Sequence, residues 1–217
     1  RETAMRHHLA ALTLICCWLL PASLVSAQDA TEQVQKVAQV VNSLGSGGRI
    51  EVDRDKKRIL SLQMQGKKVT NEHLPVLKGF TGLMHVQLRY ARIDGEGLSH
   101  LASSKGIYYL ALSESTIKDD DLAAIAGLTN MRELQLDTTA ITDEGLRHLK
   151  AMKDLDFLHL SKTKMTDHGL EQLAHMKNMY KLNLSWTGVT DAGLVHLKSM
   201  KKLADLNLSH TSVTDAG

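Results

Sequence analysis

Residues 155–178 read L-D-F-L-H-L-S-K-T-K-M-T-D-H-G-L-E-Q-L-A-H-M-K-N, and variations of this stretch fill the chain from Ile59 to its last residue. The copies begin about 24 residues apart, a period typical of stacked structural units. Each copy opens with an apolar residue and has further apolar residues three and five positions later. This L-x-x-L-x-L pattern ends in the alternation of a half-buried strand, so each copy is predicted to contribute one short strand. The opening residues are Ile59, Leu83, Ile107, Met131, Leu155, Met179 and Leu203.

A second motif, T-x-x-T-D-x-G-L, occupies residues 163–170 and returns at 139–146 and 187–194. We expect each Thr-Asp pair to offer side-chain oxygens to the unpaired amides that begin a short helix. The glycine falls in the first turn of that helix, where a side chain would collide with the neighbouring coil. The first threonine of the motif is predicted to bond backbone groups of a turn. It stands at Thr139, Thr163, Thr187 and Thr211.

These two motifs resemble those of leucine-rich repeat proteins over residues 59–217. The T-D-x-G-L element is most similar to the ribonuclease-inhibitor-like and cysteine-containing branches, which occur in F-box proteins and in many exported bacterial proteins. The resemblance implies an α/β fold, a right-handed β-α horseshoe with a parallel sheet on its concave side. About seven repeats are expected, the last of them truncated. The chain departs from the cysteine-containing pattern, because threonine stands where that branch has cysteine.

Residues 1–27 have the pattern of a secretory signal peptide. A positively charged start precedes an apolar stretch at 9–20, and Val25-Ser26-Ala27 forms a small-residue cleavage site. The apolar stretch is short against the ~20 residues that span a bilayer, so we expect cleavage and no membrane span. An uncleaved anchor is the alternative. Export to the periplasm, cell envelope or medium follows, and the mature chain then lacks cysteine because Cys16 and Cys17 both lie in the removed segment.

Residues 28–57 differ from the repeats and are predicted to form an N-terminal cap of one helix and one strand. Val34, Val37 and Val41 recur at helical spacing, and residues 50–52 alternate like a strand. The open end of a first coil needs such an amphipathic cover. A dimerising helix is the alternative, although we expect a monomer. The repeats are assigned to 58–217, and we interpret their end in the middle of a motif as the mark of a fragment.

Composition and motif spacing exclude several classes of function. The formal net charge is only +2, and acidic residues are interleaved with basic ones, so nucleic-acid binding is not expected. His100, His148 and His196 share one position in alternate copies, and strands about 4.8 Å apart would separate them by roughly 10 Å, too far for one metal ion. Catalytic serine motifs and phosphate loops are not found. We therefore predict a protein that is not an enzyme and holds no cofactor or metal.

The resemblance implies that the non-leucine positions around each strand face the concave side, where ligands dock. Aromatic residues are few in this chain, and four of them fall at these positions. Because tyrosine, tryptophan and arginine dominate interface hot spots, we predict a contact patch around Tyr109, Phe157 and Trp186. The predicted binding residues are Arg89, Tyr90, Tyr109, Glu133, Asp137, Phe157, His159, Lys181, Trp186 and His210, with Gln135, Lys162 and Asn183 beside them.

The sequence thus favours a non-catalytic, exported module that binds a protein or peptide, with carbohydrate as a variant ligand. One alternative is the recognition arm of a longer enzyme or signalling protein. Another is a substrate receptor like the F-box effectors of ubiquitin ligases, although no F-box precedes the repeats. A purely structural role in the envelope would predict no discrete hot spot.

Overall fold

The computed structural model describes residues 27–45, 48–53 and 58–217. The predicted signal peptide, up to Ser26, lies outside the described residues. One helix, α1, comes first and spans Ala27–Ser43. Eight strands follow and form one sheet in chain order. They are β1 Gly48–Val52, β2 Ile59–Met64, β3 His85–Gln87, β4 Tyr109–Ala111, β5 Glu133–Gln135, β6 Phe157–His159, β7 Lys181–Asn183 and β8 Asp205–Asn207.

From β2 to β8 each strand is parallel to the next and keeps the register of the sequence period. His85 of β3 lies opposite Tyr109 of β4, and Tyr109 lies opposite Glu133 of β5, so each step is 24 residues. The strand β1 differs because it runs antiparallel to β2. The coils therefore stack as a solenoid in which equivalent residues form straight columns, and this confirms the register predicted from the leucines.

The core consists of the apolar positions of every coil. Leu110, Leu134, Leu158 and Leu182, the central residues of β4 to β7, are all 0% exposed. The helix α1 adds Val34, Val37 and Val41 to the same core. Burying one such side chain is worth about 1.5–3 kcal/mol, and because the columns run through all coils, each coil is stabilised mainly by its two neighbours.

The side of the coils opposite the sheet carries short helical segments. Two are α-helical, α2 at Gly95–Ser99 and α3 at Asp167–Leu173. The others are 3₁₀ helices, although the sequence suggested short helices without distinguishing the two kinds. A 3₁₀ helix rises about 2.0 Å per residue against 1.5 Å, so it covers more of the coil with few residues. The 3₁₀ segments are Asn71–His73, Pro75–Leu77, Asp119–Ile125, Asp143–Leu149 and Asp191–Ser199.

The first threonine of each motif bonds the turn of its own coil, as predicted. Its hydroxyl donates to the carbonyl three residues earlier, for example from Thr163 to Leu160 at 2.7 Å and from Thr187 to Leu184 at 2.6 Å. Thr139 and Thr163 are nearly buried. A buried carbonyl without a partner would be costly, so these hydroxyls stabilise the turn that leaves each strand.

The Thr-Asp pairs act differently from the prediction. The threonine does cap its own helix, since Thr190 Oγ1 accepts from the Ala192 N–H at 3.3 Å. The aspartate, however, reaches the next coil. Asp167 Oδ1 accepts from the Thr190 N–H at 2.8 Å, and its Oδ2 accepts from the Thr190 hydroxyl at 2.7 Å. Asp119 to Thr142, Asp143 to Thr166 and Asp191 to Thr214 repeat the arrangement.

We call this column of inter-coil contacts the Asp–Thr ladder, and its last carboxylate, that of Asp191, contributes a pH dependence. The side-chain and backbone hydrogen bonds from Thr214 hold the pKa of Asp191 below its ordinary value of 3.8. The Asn71 amide, bonded to the Asp94 carboxylate, lowers the pKa of Asp94 in the same way. A lowered folded-state pKa means that the unfolded chain binds more protons near pH 3.8, so the stabilisation present above that pH is lost as the pH falls further.

We therefore expect the urea midpoint to be level near neutral pH and to drop as the pH falls below about 4. Denaturation series at successive pH values measure this. In the Asp191→Asn protein the drop should be smaller, because one of the titrating groups is gone. A midpoint that rises on acidification would contradict the ladder.

Candidate binding face

The in-register sheet sets the solvent-facing side chains of β2 to β8 in columns, and we call this surface the sheet face. The first column begins each strand and alternates with the buried leucines. It contains Ser61, His85, Tyr109, Glu133, Phe157, Lys181 and Asp205. The second column, two residues later, contains Gln63, Gln87, Ala111, Gln135, His159, Asn183 and Asn207. Four predicted binding residues, Glu133, Phe157, His159 and Lys181, thus share this surface with Tyr109.

One polar cluster joins β3, β4 and β5. The rings of His85 and Tyr109 stack with centroids 3.9 Å apart and planes 9° apart. Arg89 Nη2 donates to the Tyr109 hydroxyl at 3.3 Å and to Gln135 Oε1. Gln135 Nε2 in turn donates to Glu133 Oε1 at 2.5 Å. These bonds fix the side chains before any ligand arrives.

The charges of this cluster follow from its burial. Burial lowers the pKa of His85, and the Arg89 cation lowers it further, while Glu133 and Glu51 oppose the change. Burial likewise raises the pKa of Tyr109. At neutral pH the stacked rings are therefore both uncharged, an imidazole and a phenol. Arg89 Nε is buried and has no hydrogen-bond partner among the described residues.

The sequence analysis missed part of this region. His85, Met84 and Tyr108 line an open hollow of about 310 Å³ together with Ser61. Met84 is 45% exposed and Tyr108 46% exposed. The signal was present in the period, because His85 stands 24 residues before Tyr109 and Met84 stands 24 before Tyr108. Of these four residues, only Tyr109 is among the predicted binding residues.

A second set of predicted residues lies at the rim of the sheet face, after the strands end, rather than on the strands themselves. All have left-handed backbone conformation, including Tyr90 with φ 61°, Trp186 with φ 59° and His210 with φ 59°. Gly66 occupies the same position in the first coil, with φ 107°. Side chains other than glycine rarely adopt this conformation, and it costs roughly 1–2 kcal/mol per residue.

The strain at the rim is offset by hydrogen bonds between coils. The N–H of Lys162 donates to the Ser185 carbonyl at 2.9 Å, and that of Trp186 donates to the Ser209 carbonyl at 2.9 Å. The same bond recurs in the coils before them, so the left-handed position follows from the geometry of stacking. The side chain there is free to vary, and we call the six residues Tyr90, Glu114, Thr138, Lys162, Trp186 and His210 the rim.

Three members of the rim form a stack. The His210 ring lies on the Trp186 ring with centroids 3.9 Å apart and planes 17° apart. Lys162 Nζ lies 5.8 Å from the Trp186 ring centroid, within the range of a cation–π interaction. Trp186 nevertheless remains 53% exposed. The tryptophan is thus held in place by its neighbours while a large part of it stays open to solvent.

The contact patch around Tyr109, Phe157 and Trp186 stays a prediction, and each of the three rings has its own local partner. Tyr109 stacks on His85, Phe157 meets Tyr180 at 5.8 Å with a 58° tilt, and Trp186 stacks on His210. Tyr109 and Phe157 lie two strands apart, about 10 Å by the usual strand spacing. Trp186 lies beyond the end of β7, on the rim. The three predicted residues are thus distributed over the sheet face and the rim.

Two predicted contact residues are engaged within the chain. Asp137 accepts from the Ser113 hydroxyl at 3.2 Å and from the Ser161 N–H at 3.0 Å, so its carboxylate ties two neighbouring coils to its own. Lys181 pairs with Asp205 at 2.7 Å, and this contact raises the pKa of Lys181. Both side chains shape the sheet face, and the charge of Lys181 is balanced by Asp205.

The candidate metal residues do not converge in the part of the chain that the structure describes. No group of three or more His, Cys, Asp or Glu residues there is arranged to hold a metal ion. The aspartates of the Asp–Thr ladder each bond the threonine of the next coil, as with Asp143 and Thr166. Helices within the same described ranges are also too short or too polar to span a membrane.

Comparisons with known proteins agree with this architecture. A family model described as leucine-rich repeat matches residues 127–149 and 175–198. The solved structure of internalin C2 from Listeria monocytogenes is similar with a TM-score of 0.55 and 18% identity, covering 87% of this chain and 86% of that chain. An internalin (inlF) from the same organism has a TM-score of 0.56 and 19% identity, covering 92% of this chain and 62% of that chain. The search of curated proteins found no match.

The period, the parallel sheet and these matches together support a leucine-rich repeat protein with an α/β solenoid fold. At such low identity the structural likeness shows the fold alone. Such a fold suggests a protein–protein interaction module, because rigid stacked coils present a long surface of variable side chains on an invariant core.

Proposed function

We propose that this chain is an exported, non-catalytic module that binds a protein or peptide through the sheet face and the rim. Its export rests on the signal-peptide pattern of residues 1–27. The proposed ligand class rests on the surface chemistry. The second column of the sheet face is rich in amides, which both donate and accept hydrogen bonds, and amides suit the backbone of an extended peptide.

The observation that carries the proposal is the stack of Lys162, Trp186 and His210. Tryptophan is among the residues that most often dominate binding energy. An exposed side chain normally loses rotamer freedom on binding, and that loss weakens affinity. Here the Trp186 ring is already held by His210 at 3.9 Å. A partner that covers the exposed half of Trp186 therefore gains contact area with little ordering cost.

The carboxylates of the chain support a binding role over catalysis. Those of the Asp–Thr ladder hold neighbouring coils together, and Asp137 does the same on the sheet face. His85 Nδ1 lies 3.3 Å from the Ser61 hydroxyl, a pair that could suggest catalysis. The His85 ring, however, is held by stacking on Tyr109 and not by a carboxylate that would orient it as a base. Each of these side chains therefore has a partner within the chain that explains its position without a catalytic role.

The test is a capture experiment with the mature chain from Gln28 as bait and envelope and medium fractions as the source. We expect Trp186→Ala to weaken the captured complex by about tenfold or more, as for a hot-spot tryptophan. Its stability should change by less than about 1 kcal/mol, because the ring is half exposed. Binding is measured by titration with the identified partner, and stability by urea denaturation.

Val195→Ala is the matched control, since Val195 is 52% exposed but lies in the helical segment opposite the sheet. It should leave capture unchanged. Equal capture by wild type and the Trp186 variant would reject the rim as the binding site. Loss of capture by the Val195 variant as well would place binding on the helical side.

A further inference from the structure

A strongly basic edge lies on the turns that lead into β6, β7 and β8. Residues 150–154, 174–178 and 198–202 contain six lysines against one aspartate, Asp154. Five net positive charges thus collect on three turns of a chain whose total is +2. We call this surface the lysine edge. Its lysines are Lys150, Lys153, Lys177, Lys198, Lys201 and Lys202.

Three of these lysines occupy one structural position in consecutive coils. The N–H of Lys153 bonds the Ala151 carbonyl at 3.0 Å, and the N–H of Lys177 bonds the His175 carbonyl at 3.0 Å. Lys201 makes the equivalent bond at 3.1 Å. A buried methionine precedes each of them. Neighbouring coils are about one strand spacing apart. The backbones of the three lysines therefore lie in a straight row with steps of about 4.8 Å.

The turns of this row are tied together by side chains. Asn178 Nδ2 donates to the Lys153 carbonyl at 3.2 Å, and Lys202 Nζ donates to Asn178 Oδ1 at 2.7 Å. The Ser199 hydroxyl donates to the Ala174 carbonyl at 2.6 Å. The backbone under the lysines is therefore fixed, and the row keeps its spacing.

The lysine edge has few counter-charges within the described residues, and Asp154 is the one carboxylate of its three turns. None of its six ammonium groups forms an ion pair there, whereas Arg132, Arg147 and Lys181 are all paired. Outside these turns, Glu171 lines one hollow together with Lys150. A row of unpaired like charges repels itself and is stabilised by an external polyanion.

We propose that the lysine edge binds a linear acidic polysaccharide, one that carries carboxylate or sulfate groups along its length. The row of Lys153, Lys177 and Lys201 repeats at a distance similar to the advance of one sugar unit in an extended chain. Tyr180 lies three residues after Lys177, at the start of β7, and is 51% exposed. Its ring offers a flat apolar surface to the C–H face of a sugar, while the lysines meet the anionic groups.

A nucleic acid fits this surface less well. Single strands are held by several aromatic rings that stack successive bases between basic residues, and the three turn segments contain no ring other than that of His175. Lysine is a flexible point charge that does not require bidentate geometry, and it suits a hydrated polysaccharide whose anionic groups vary in orientation.

The test uses the full chain and a fluorescent oligogalacturonate, which carries one carboxylate on every sugar, with a neutral dextran oligomer of equal length as the comparison probe. Anisotropy titrations at low ionic strength give the dissociation constants. Each lysine near an anionic surface contributes about fivefold to affinity. The variant Lys153→Gln/Lys177→Gln/Lys201→Gln should therefore bind oligogalacturonate about a hundredfold more weakly, and added salt should weaken the wild type.

The matched control is Lys67→Gln/Lys68→Gln/Lys164→Gln, which removes the same amount of charge. These exposed lysines follow strands, whereas the lysine edge lies on the turns that precede strands. The control should bind like wild type, and circular dichroism should show both variants folded. Equal losses in the two variants, or equal binding of neutral dextran, would overturn the proposal. So would tighter binding to a single-stranded oligonucleotide or to anionic phospholipid vesicles, which would assign the edge to another polyanion.

Discussion

Leu160→Ala should destabilise the protein by about 2–5 kcal/mol, the range for removing most of a leucine from a packed core. Leu160 is 0% exposed. It lies directly after β6, and its carbonyl accepts the Thr163 hydroxyl at 2.7 Å, so the change also disturbs the turn that leaves the strand. Urea denaturation of the two proteins, with unchanged slope and a lowered midpoint, measures the loss.

Leu206→Ala is the internal control, because Leu206 belongs to β8 and is 37% exposed. We expect it to cost less than about 1 kcal/mol, since little buried volume is lost. If the two substitutions had equal effects, the core columns would not be the source of stability. A mild effect at Leu160 alone would mean that the neighbouring coils collapse into the cavity.

Most of the fold could be predicted from the period alone. The leucine positions fix the strand and its register, because an error of one residue would move every side chain to the wrong face. Leu134 and Leu158 pair as their spacing requires. The kind of helix opposite the sheet could not be predicted in the same way. An α-helix and a 3₁₀ helix of one or two turns have similar apolar spacing, and the choice depends on the span that the coil must close.

The role of the aspartates was only half predictable. The sequence shows that each T-D pair begins a helix, which is the usual place for a cap. It does not show which backbone amide lies nearest in space. In the structure Asp143 faces Thr166 of the next coil rather than its own helix. The partners in the ladder can be recognised only when each copy of the motif is compared with the next, because Asp143 and Thr166 are 23 residues apart.

The binding residues were predicted as a surface but not as clusters. Alternation along the strand identifies which side chains leave the core, and the sheet face follows from it. Whether two exposed rings touch depends on their columns, and Trp186 lies on the rim while Phe157 lies on a strand. His85 is not among the predicted residues, although it lies opposite Tyr109 in the same column.

The glycines of the motif show how the Asp–Thr ladder shaped the sequence. A Cβ on Gly145 would lie 2.5 Å from Asp119 Oδ1, and one on Gly169 would lie 2.5 Å from Asp143 Oδ1. In one pair of neighbouring coils the aspartate and the glycine exchange positions. Where Asp121 takes the glycine position, the facing residue of the preceding coil is Gly95, and its N–H donates to Asp121 Oδ1 at 2.8 Å. Two residues thus share one space, and only one of them has a side chain.

This reasoning predicts that Gly193→Ala will destabilise the protein by about 3–5 kcal/mol. The new methyl group would lie 2.2 Å from Asp167 Oδ1, so the carboxylate must move. Overpacking typically costs about 1–3 kcal/mol. Moving the carboxylate also weakens its contact with Thr190, and losing one hydrogen bond to a charged group costs about 1.5–3 kcal/mol. The free energy of unfolding from urea titration is the measurement.

A double-mutant cycle separates this clash from a general intolerance of alanine. In an Asp167→Ala background the carboxylate is absent, so adding Gly193→Ala should cost less than about 1 kcal/mol. Gly106→Ala is the second control, because the nearest atom to its Cβ would be the Leu83 carbonyl oxygen at 3.6 Å, an ordinary contact. If Gly193→Ala cost the same in both backgrounds, the clash would lie with Leu170, whose Cδ1 would be 3.0 Å from the new methyl group, and the exchange of Gly95 and Asp121 would need another cause.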